Sequence, residues 1–430
     1  MTFKQELKKL NSSQIWQKYC GFLDISLEQY MQIQFRLLQE QLELYAGCEL
    51  GNRIMGKVPP PTVTEFRKTV PLTTYDDYAD ILLLKQEELL PAPPVVWLET
   101  TWESGSRPAK VAPYTEQMLS VYKNNLLASL ILASAKERGV FNVNSKQRVL
   151  YGLAPLPYAT GLLPLTMSTE MDLQFFPPIK DALKMSFSEQ NRAGFRQSMQ
   201  RGVDLFFGMS SIIYAISKNF NIKTAGGEKR KLMIMHPLML YRVLLAKYRS
   251  YRDGTPIYPK DIFRLNGLIC VGNDSALFKD ELERAWGCRP LEIAGGTEPT
   301  CLATETWKKD GLVFFPDACF YEFIPEGEML RSLNDSNYTP RTFLMDELVA
   351  NENYELVITV LKGGAFMRYR VGDVYRCLRL KSEQDAIALP QFEFVDRIPT
   401  VIDIAGFTRI TQRAIEKVIR ISRLPIADWC

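Results

Sequence analysis

The amino-acid sequence predicts an α/β fold, and two observations support this prediction. Gly267–Val271 and Pro290–Ala294 are short apolar stretches of the length typical of strands, and Ser275–Trp286 between them has helical periodicity. Two strands joined by a crossover helix form the βαβ unit of a parallel sheet. The chain has 430 residues, of which 46% are hydrophobic, so it can bury a large core and is longer than one ordinary domain.

The composition argues against several classes of protein. Lysine and arginine number 52 and aspartate and glutamate 49, giving a net charge of +3, so neither nucleic acid nor a membrane is expected as a partner. The eight cysteines form no Cys-x-x-Cys pair and there is one histidine, which predicts reduced, mostly buried thiols and no metal cluster. The sequence has no run of about 18 uncharged apolar residues and no signal-peptide pattern, which favours a cytoplasmic protein.

The first part of the chain is predicted to be helical. Ser26–Tyr45 places its apolar residues on one face, Ser26 can cap its start, and Gly47 is expected to end it. Proline-rich loops flank Thr62–Leu90, which is predicted to be a separate helical unit. This unit leads into the first predicted strand, Val95–Leu98.

The middle of the chain alternates helices with strands. Glu116–Arg138 has a long helical pattern, and Arg148–Leu153 is predicted to be a strand. Ser186–Phe207 and Pro237–Arg249 are predicted to be two further helices of the core. His236 precedes the last of these and is interpreted as a structural histidine.

A hairpin is predicted near the C-terminus. Glu355–Leu361 alternates branched and polar residues as a strand does, and Gly363–Gly364 supplies a two-residue turn. The return strand is predicted to stop at Gly372 and Asp373.

The carboxylate of Asp373 would then lie on a short turn, where it can accept two hydrogen bonds from a vicinal diol such as a ribose. Arg370 is expected close enough to keep this carboxylate ionised. The alternative interpretation is a surface hairpin with an ordinary Arg–Asp pair.

A polar loop, Thr100–Lys110, is predicted between the first strand and a helix. Ser104, Gly105 and Ser106 offer hydroxyls and backbone N–H groups to phosphate oxygens, and Lys110 can neutralise their charge. The alternative is an ordinary polar connection.

A turn of small residues follows the last strand of the βαβ unit. Ligands of α/β sheets bind at the carboxyl ends of the strands, which is where Ala294–Glu298 is expected. Its candidate binding residues are Gly295, Gly296, Thr297 and Glu298.

These motifs carry a resemblance to a known family. Tyr369–Asp373, which reads Tyr-Arg-Val-Gly-Asp, resembles the ribose-binding motif of adenylate-forming enzymes. Phe66–Tyr78 resembles a segment of one branch of that group, the Gretchen Hagen (auxin-responsive) family of acyl acid amido synthetases. The resemblance extends from this segment to the C-terminus. It implies the large domain of an adenylate-forming enzyme, with mixed β-sheets flanked by helices and a small β subdomain.

The resemblance also implies a role for each motif. It assigns Ser104–Ser106 and Lys110 to the phosphates of ATP, the Thr297 hydroxyl to the α-phosphate and the Glu298 carboxylate to Mg²⁺. It assigns Tyr158, in Pro155–Pro164, to the gate of the acyl pocket, the alternative being an aromatic plug in a Pro/Gly turn. The remaining assignments are Gly295, Gly296, Arg370 and Arg397 to the nucleotide and Asp373 to its ribose.

Phe394–Gly406 resembles the hinge before a small C-terminal lid. We therefore expect a large adenylating domain over residues 1–395, with the hinge and the start of a lid over residues 396–430. Family members continue further, so the resemblance implies a truncated lid, slow adenylation and slower transfer.

The implied reaction is attack of a substrate carboxylate on the α-phosphate of ATP, followed by transfer of the acyl group to an amine. Its implied cofactors are ATP and Mg²⁺, and its partners are a small-molecule carboxylic acid and an amine acceptor. Two alternatives stay open. Coenzyme A could be the acceptor, or the chain could be a degenerate scaffold that binds a nucleotide or carboxylate without turnover, which Ala294 in place of the family's adenine-stacking tyrosine favours.

Overall fold

The computed structural model describes residues 1–100, 110–218, 220, 235–272, 275–335, 337–398, 401–404 and 408–411, together with 415, 418, 419, 421 and 422. The helices are α1 (Phe3–Lys9), α2 (Ser12–Cys20), α3 (Leu27–Ala46), α4 (Glu49–Met55), α5 (Val63–Thr69), α6 (Ala79–Leu82), α7 (Glu116–Ser134), α8 (Leu162–Glu170), α9 (Ile179–Ala182), α10 (Phe187–Arg201), α11 (Ser210–Lys218), α12 (Pro237–Asp253), α13 (Pro259–Ile262), α14 (Ser275–Trp286) and α15 (Glu326–Asn334).

The strands are β1 (Val96–Glu99), β2 (Val111–Tyr114), β3 (Arg148–Gly152), β4 (Gln174–Phe176), β5 (Leu205–Met209), β6 (Gly267–Val271), β7 (Leu291–Gly296), β8 (Thr300–Glu305), β9 (Leu312–Phe314), β10 (Cys319–Pro325), β11 (Asn353–Val360), β12 (Tyr369–Arg379), β13 (Gln391–Arg397), β14 (Val401–Ile404) and β15 (Thr408–Thr411).

The chain divides into two units, each made of separate stretches of sequence. Unit 1 contains residues 1–24, 92–318 and 362–364, and unit 2 contains residues 25–91, 319–361 and 365–430. The predicted boundary between residues 395 and 396 falls within unit 2, and most of the residues beyond it lie outside the described part. That boundary stays a prediction.

Unit 1 contains a mixed sheet in the order β9-β8-β7-β6-β5-β3-β4. Strands β4, β3, β5, β6 and β7 are parallel, and β8 and β9 are antiparallel to their neighbours. Because β6, α14 and β7 follow one another along the chain and β6 pairs with β7 in parallel, the predicted βαβ unit is confirmed. The α/β fold class is confirmed with it.

Apolar side chains from helices and strands form one core cluster of unit 1. Phe206 and Leu268 come from β5 and β6, Met239 comes from α12, and all three are buried. Phe263 stacks on Trp286 of α14 with ring centroids 5.7 Å apart. Burying each large apolar side chain stabilises the fold by about 1.5–3 kcal/mol, so this cluster anchors the helices against the sheet.

The prediction of a single helix over Ser186–Phe207 is wrong. Helix α10 ends at Arg201, and Gly202 has a φ of 84°, a left-handed conformation that glycine adopts without strain. The following apolar residues form β5, which is paired on both sides by parallel strands. A buried parallel strand is apolar throughout, so its pattern resembles a continuation of the helix.

Unit 2 contains an antiparallel sheet in the order β10-β11-β12-β13. Helix α3 confirms the first predicted helix: the Ser26 hydroxyl accepts a hydrogen bond from the Gln29 N–H, and Gly47 ends the helix. Strands β14 and β15 form a separate antiparallel pair.

The predicted hairpin around Gly363–Gly364 differs from the observed connection. Strand β11 ends at Val360 and β12 begins at Tyr369, so residues 361–368 join them instead of a two-residue turn. Gly363 has a φ of 84°, and a Cβ there would lie 2.6 Å from the Cβ of Ala92, so both conformation and space require glycine. Strand β12 continues past Gly372 and Asp373 to Arg379, so the prediction that it stops there is also wrong.

The cysteines resolved in the described ranges are free thiols, six buried and one partly buried, as predicted. Within those same ranges, no helix combines the length and apolar character needed to cross a bilayer. His236 caps α12 by accepting a hydrogen bond from the Leu238 N–H, which confirms its structural role.

Candidate functional site

The turn after β7 is the first group of candidate residues. Gly295 and Gly296 end β7, and Thr297 and Glu298 form the turn into β8. Since β7 is parallel to β6, this turn lies at the carboxyl end of a parallel strand, as expected. Glu298 is buried, with 7% of its surface exposed.

Two residues at the ends of β2 hold this turn in place: Lys110, which immediately precedes the strand, and Tyr114, its last residue. The Lys110 Nζ lies 3.3 Å from the Glu298 Oε1, and the Tyr114 hydroxyl donates a 2.6 Å hydrogen bond to the Thr297 carbonyl oxygen. Three sequence-predicted residues of unit 1, namely Lys110, Thr297 and Glu298, are therefore close together. Sequence reasoning missed Tyr114, because only the tertiary structure shows what its hydroxyl contacts.

A buried ion cluster fixes β7 below the turn. The Lys279 Nζ of α14 lies 2.5 Å from Oε1 of Glu305 and 3.4 Å from Oε2 of Glu292. Burial alone would lower the pKa of Lys279, but the two carboxylates outweigh it and raise that pKa above its usual value. The lysine therefore stays charged and ties α14 to β7 and β8.

The candidate phosphate loop lies largely outside the described residues. Ser104, Gly105 and Ser106 are not among the described residues, so their assignment to the phosphates of ATP stays a prediction. On either side of it, β1 and β2 pair in antiparallel fashion, with Glu99 opposite Val111. The stretch between them is therefore followed by β2, and α7 begins only after β2, so the expected position directly between a strand and a helix is wrong.

A pocket of about 110 Å³ lies beside the predicted acyl stretch of unit 1. It is lined by residues 153–156 after β3, by parts of α8 and α9, and by Tyr151 and Gln190. The buried Tyr151 hydroxyl has no hydrogen-bond partner among the residues that the structure describes, and burial raises the pKa of Tyr151 to about 12. Tyr158 is half-buried and does not line this pocket, so its role as a gate stays a prediction.

The second group of candidate residues lies in unit 2, on β12 and β13. Asp373 and Arg397 are paired in register on these neighbouring strands, and the Arg397 Nε lies 2.6 Å from the Asp373 Oδ1. The aspartate side chain is 6% exposed and the arginine side chain 31% exposed. The two residues that the resemblance assigns to one nucleotide are therefore in direct contact.

Gly372 shapes the backbone next to Asp373. Its φ is 86°, and a Cβ there would lie 3.1 Å from the carbonyl oxygen of Ile398. The Ile398 N–H donates a 2.7 Å hydrogen bond to the Gly372 carbonyl oxygen. The glycine of the Tyr-Arg-Val-Gly-Asp string is therefore required by the backbone conformation beside the carboxylate.

Arg370 does not have the predicted partner. Its guanidinium forms two hydrogen bonds with Glu355, of 2.8 Å from Nε to Oε1 and 2.6 Å from Nη2 to Oε2. Arg397 is thus a cation that pairs with Asp373, whereas the guanidinium of Arg370 pairs with Glu355, so the influence of Arg370 on Asp373 stays a prediction.

Comparison with protein families gives two matches. The GH3 family N-terminal domain matches residues 21–169, and the GH3 family central domain matches residues 312–397. Together these matches span more than half of the chain. None of the curated proteins compared with the chain matches it.

Solved structures with a similar fold include an amido synthetase and a ligase. The AtGH3.15 acyl acid amido synthetase in complex with 2,4-DB has a TM-score of 0.66 at 15% identity, over 96% of this chain and 75% of that chain. The 2-hydroxyisobutyryl-CoA ligase in the postadenylation state, in complex with 2-HIB-AMP, has a TM-score of 0.57 at 14% identity, over 91% of this chain and 71% of that chain. At these identities the comparisons establish the fold.

Proposed function

Because the chain belongs to the GH3 family, we propose that it is an adenylate-forming ligase that activates a carboxylic acid with ATP and transfers the acyl group to an amine. Its partners are then a small-molecule acid and an amine acceptor, and its compartment is the cytoplasm. The observation that supports this proposal most is the contact between Asp373 and Arg397, since the resemblance assigns both to the nucleotide.

In the first step, a carboxylate oxygen of the acid bonds to the α-phosphorus while the bond to pyrophosphate breaks. In the second step, the amine nitrogen attacks the acyl carbon, AMP leaves with that carboxylate oxygen, and the amine loses a proton. No enzyme nucleophile is needed, so the protein acts by positioning the reactants and by stabilising charge.

The residues of unit 1 fit the phosphate side of this chemistry. Lys110 supplies a positive charge, and the Thr297 hydroxyl can donate to an α-phosphate oxygen. The Lys110–Glu298 pair is partly exposed at the lysine, with 29% of that side chain accessible, so Lys110 can turn toward an anion. If Lys110 paired with a bound triphosphate, the Glu298 carboxylate could bind another cation.

Glu298 also fits a magnesium site. Mg²⁺ prefers oxygen ligands and is usually bound by one or two carboxylates together with substrate phosphates, so a single buried carboxylate is a suitable donor. When bound there, the ion would neutralise charge on the phosphates. The negative charge of Glu298 would then be met by the ion, and the positive charge of Lys110 by a phosphate.

The residues of unit 2 fit the ribose side. A ribose that donates two hydrogen bonds to the Asp373 carboxylate has to compete with Arg397, which already donates to Oδ1. The accessible part of Arg397 allows it to move toward a phosphate or the ribose ring when the nucleotide binds. Asp373 and Arg397 would then both contact the ligand.

A non-catalytic nucleotide-binding scaffold is the second candidate function. Ala294 favours it, because this buried alanine stands where the resemblance expects an aromatic ring against adenine. Base stacking is worth about 1–3 kcal/mol, so its loss weakens nucleotide binding without removing the phosphate contacts.

Acid-dependent exchange of labelled pyrophosphate into ATP tests the proposal. With Mg²⁺ and a panel of aryl and fatty acids, we expect exchange that depends on the acid. Glu298→Gln should lower it by on the order of 100-fold, because the carboxylate charge is lost while the shape is kept. The matched control is Glu283→Gln, which removes an exposed carboxylate paired with Arg289 in the same unit and should leave exchange unchanged.

Two results would count against this function. Binding of ATP without exchange for any acid would favour the scaffold. Equal exchange by Glu298→Gln and the unmodified chain would contradict the role of Glu298.

A further inference from the structure

The segment Phe66–Tyr78, which carries the family resemblance, has no part in the reaction proposed above. In the structure it runs beside the start of β12 in unit 2. The Thr73 N–H donates to the Arg368 carbonyl oxygen at 2.9 Å, and the Arg370 N–H donates to the Thr73 carbonyl oxygen at 2.9 Å. Thr73 therefore pairs with β12 as a one-residue parallel bridge opposite Tyr369.

Two side chains of this segment bind the backbone of Met367. The Met367 N–H donates to the Tyr78 hydroxyl at 2.9 Å, and its carbonyl oxygen lies 3.0 Å from that hydroxyl. The Thr73 hydroxyl donates to the same carbonyl oxygen at 2.6 Å. Tyr78 is fully buried and Thr73 is 2% exposed, so water does not replace these bonds.

The next residue, Arg368, has a conformation that needs external support. Its φ is 44°, in the left-handed region that residues with a side chain rarely adopt. Its buried guanidinium donates to both carboxylate oxygens of Glu322, at 2.8 and 2.9 Å. It also donates to the Val70 carbonyl oxygen at 2.5 Å, so the same segment supports the strained residue as well.

We propose that Thr73 and Tyr78 form a positioning clamp, which fixes the backbone of Met367–Arg370 and thereby places the Asp373 carboxylate for the ribose. The clamp rests on the proposed function, because it acts on a residue assigned to the nucleotide. It gives the segment Phe66–Tyr78 a role in nucleotide recognition without direct contact with the ligand.

The geometry explains how the clamp can act over this distance. Strand β12 pairs with β11 at Tyr369 and Arg370, its register with β11 then shifts before Val374, and from Asp373 it pairs with β13. Asp373 therefore follows directly on a short irregular stretch whose start is fixed at Tyr369 and Arg370. Gly372 lies between and has a positive φ, which leaves the direction of the Asp373 side chain sensitive to the backbone before it. A small displacement of the Asp373 carboxylate would lower nucleotide affinity, because its hydrogen bonds to the ribose depend on distance and angle.

The test compares the affinities of AMP and of its dideoxyribose analogue, measured by calorimetry. The ratio of these affinities reports the contacts that the two ribose hydroxyls make. We expect Tyr78→Phe and Thr73→Val to bring this ratio toward one, a loss of about tenfold, because the carboxylate is displaced. Thr73→Ser keeps the hydroxyl, so its affinity ratio should equal that of the unmodified chain.

Tyr354→Phe is the matched control. It removes a tyrosine hydroxyl from the same sheet, where that group accepts a hydrogen bond from the Val349 N–H and the ring contacts Phe323 and Phe343. Its thermal stability should fall as in Tyr78→Phe, while its ratio stays that of the unmodified chain.

The outcomes separate the clamp from the proposed function. If the unmodified chain does not prefer AMP over the dideoxy analogue, the ribose assignment of Asp373 fails and the clamp fails with it. If the unmodified chain has the preference and both Tyr78→Phe and Thr73→Val keep it, the clamp alone is overturned. If Tyr78→Phe does not fold, Thr73→Val and Thr73→Ser decide the question.

Discussion

Arg397 and a ribose would compete for the same carboxylate, that of Asp373. The guanidinium is already 2.6 Å from Oδ1, so the free energy of nucleotide binding includes the cost of weakening this pair. The sequence motif identified the aspartate but not its partner. A strand pattern gives the spacing of side chains along one strand, whereas the partner depends on the register with β13.

Replacing Asp373 by alanine should weaken nucleotide binding at least about tenfold. Two charge-assisted hydrogen bonds are lost, each worth about 1.5–3 kcal/mol before water compensates. The free energy of unfolding should fall by only about 1 kcal/mol, because Arg397 is partly exposed and can be hydrated. Calorimetry with ATP and AMP, together with thermal unfolding, measures both effects.

Glu393→Ala is the control for this substitution. Glu393 lies on β13 and pairs with Arg376 of β12 at 3.6 Å, so its loss also removes an ion pair between these strands. Nucleotide affinity should be unchanged. If Asp373→Ala binds as tightly as the unmodified chain, the aspartate belongs only to an ordinary Arg–Asp pair.

At the level of elements, much of the fold follows from local patterns. Helix α3 has an amphipathic face, a serine cap and a terminal glycine, and β6, α14 and β7 have the lengths and periods expected of a βαβ unit. The sequence pattern does not distinguish β5 from the end of α10, because a strand that is paired on both sides and almost entirely buried lacks alternation. The Arg368–Glu322 pair joins residues 46 positions apart, and no local pattern indicates it.

The edge where β3 and β5 begin offers a test of pH dependence. The Asp204 carboxylate accepts hydrogen bonds from the Arg148 N–H and Nε at 2.9 Å and from its Nη2 at 2.6 Å. Burial alone would raise the pKa of Asp204, but these donors outweigh it and hold that pKa below its usual value of 3.8. The stabilisation is therefore complete above about pH 4 and is lost as the pH falls through the lower folded-state value.

Asp204→Asn should accordingly lower the free energy of unfolding by about 1–3 kcal/mol at pH 7. The difference from the unmodified chain should shrink as the pH falls below about 4, since protonation removes the same charge there. Urea unfolding over a pH series measures it. Asp253→Asn, at an exposed Arg–Asp pair of the same unit, is the control and should leave the free energy of unfolding unchanged. A loss of stability in Asp204→Asn that does not depend on pH would contradict the role of the carboxylate charge.

At the scale of the whole molecule, the candidate residues come from stretches far apart in sequence. Lys110, Thr297 and Glu298 lie in unit 1, while Asp373 and Arg397 lie in unit 2. Each unit is itself assembled from separate stretches of sequence.

The central claim is that a carboxylate attacks the α-phosphate of ATP. The most direct test uses an acid that supports pyrophosphate exchange, labelled with oxygen-18 in its carboxyl group, together with ATP, Mg²⁺ and an amine. Mass spectrometry of the AMP should find one labelled oxygen, because AMP leaves the acyl-adenylate with the carboxylate oxygen. Unlabelled AMP, or ADP as the product, would contradict the account.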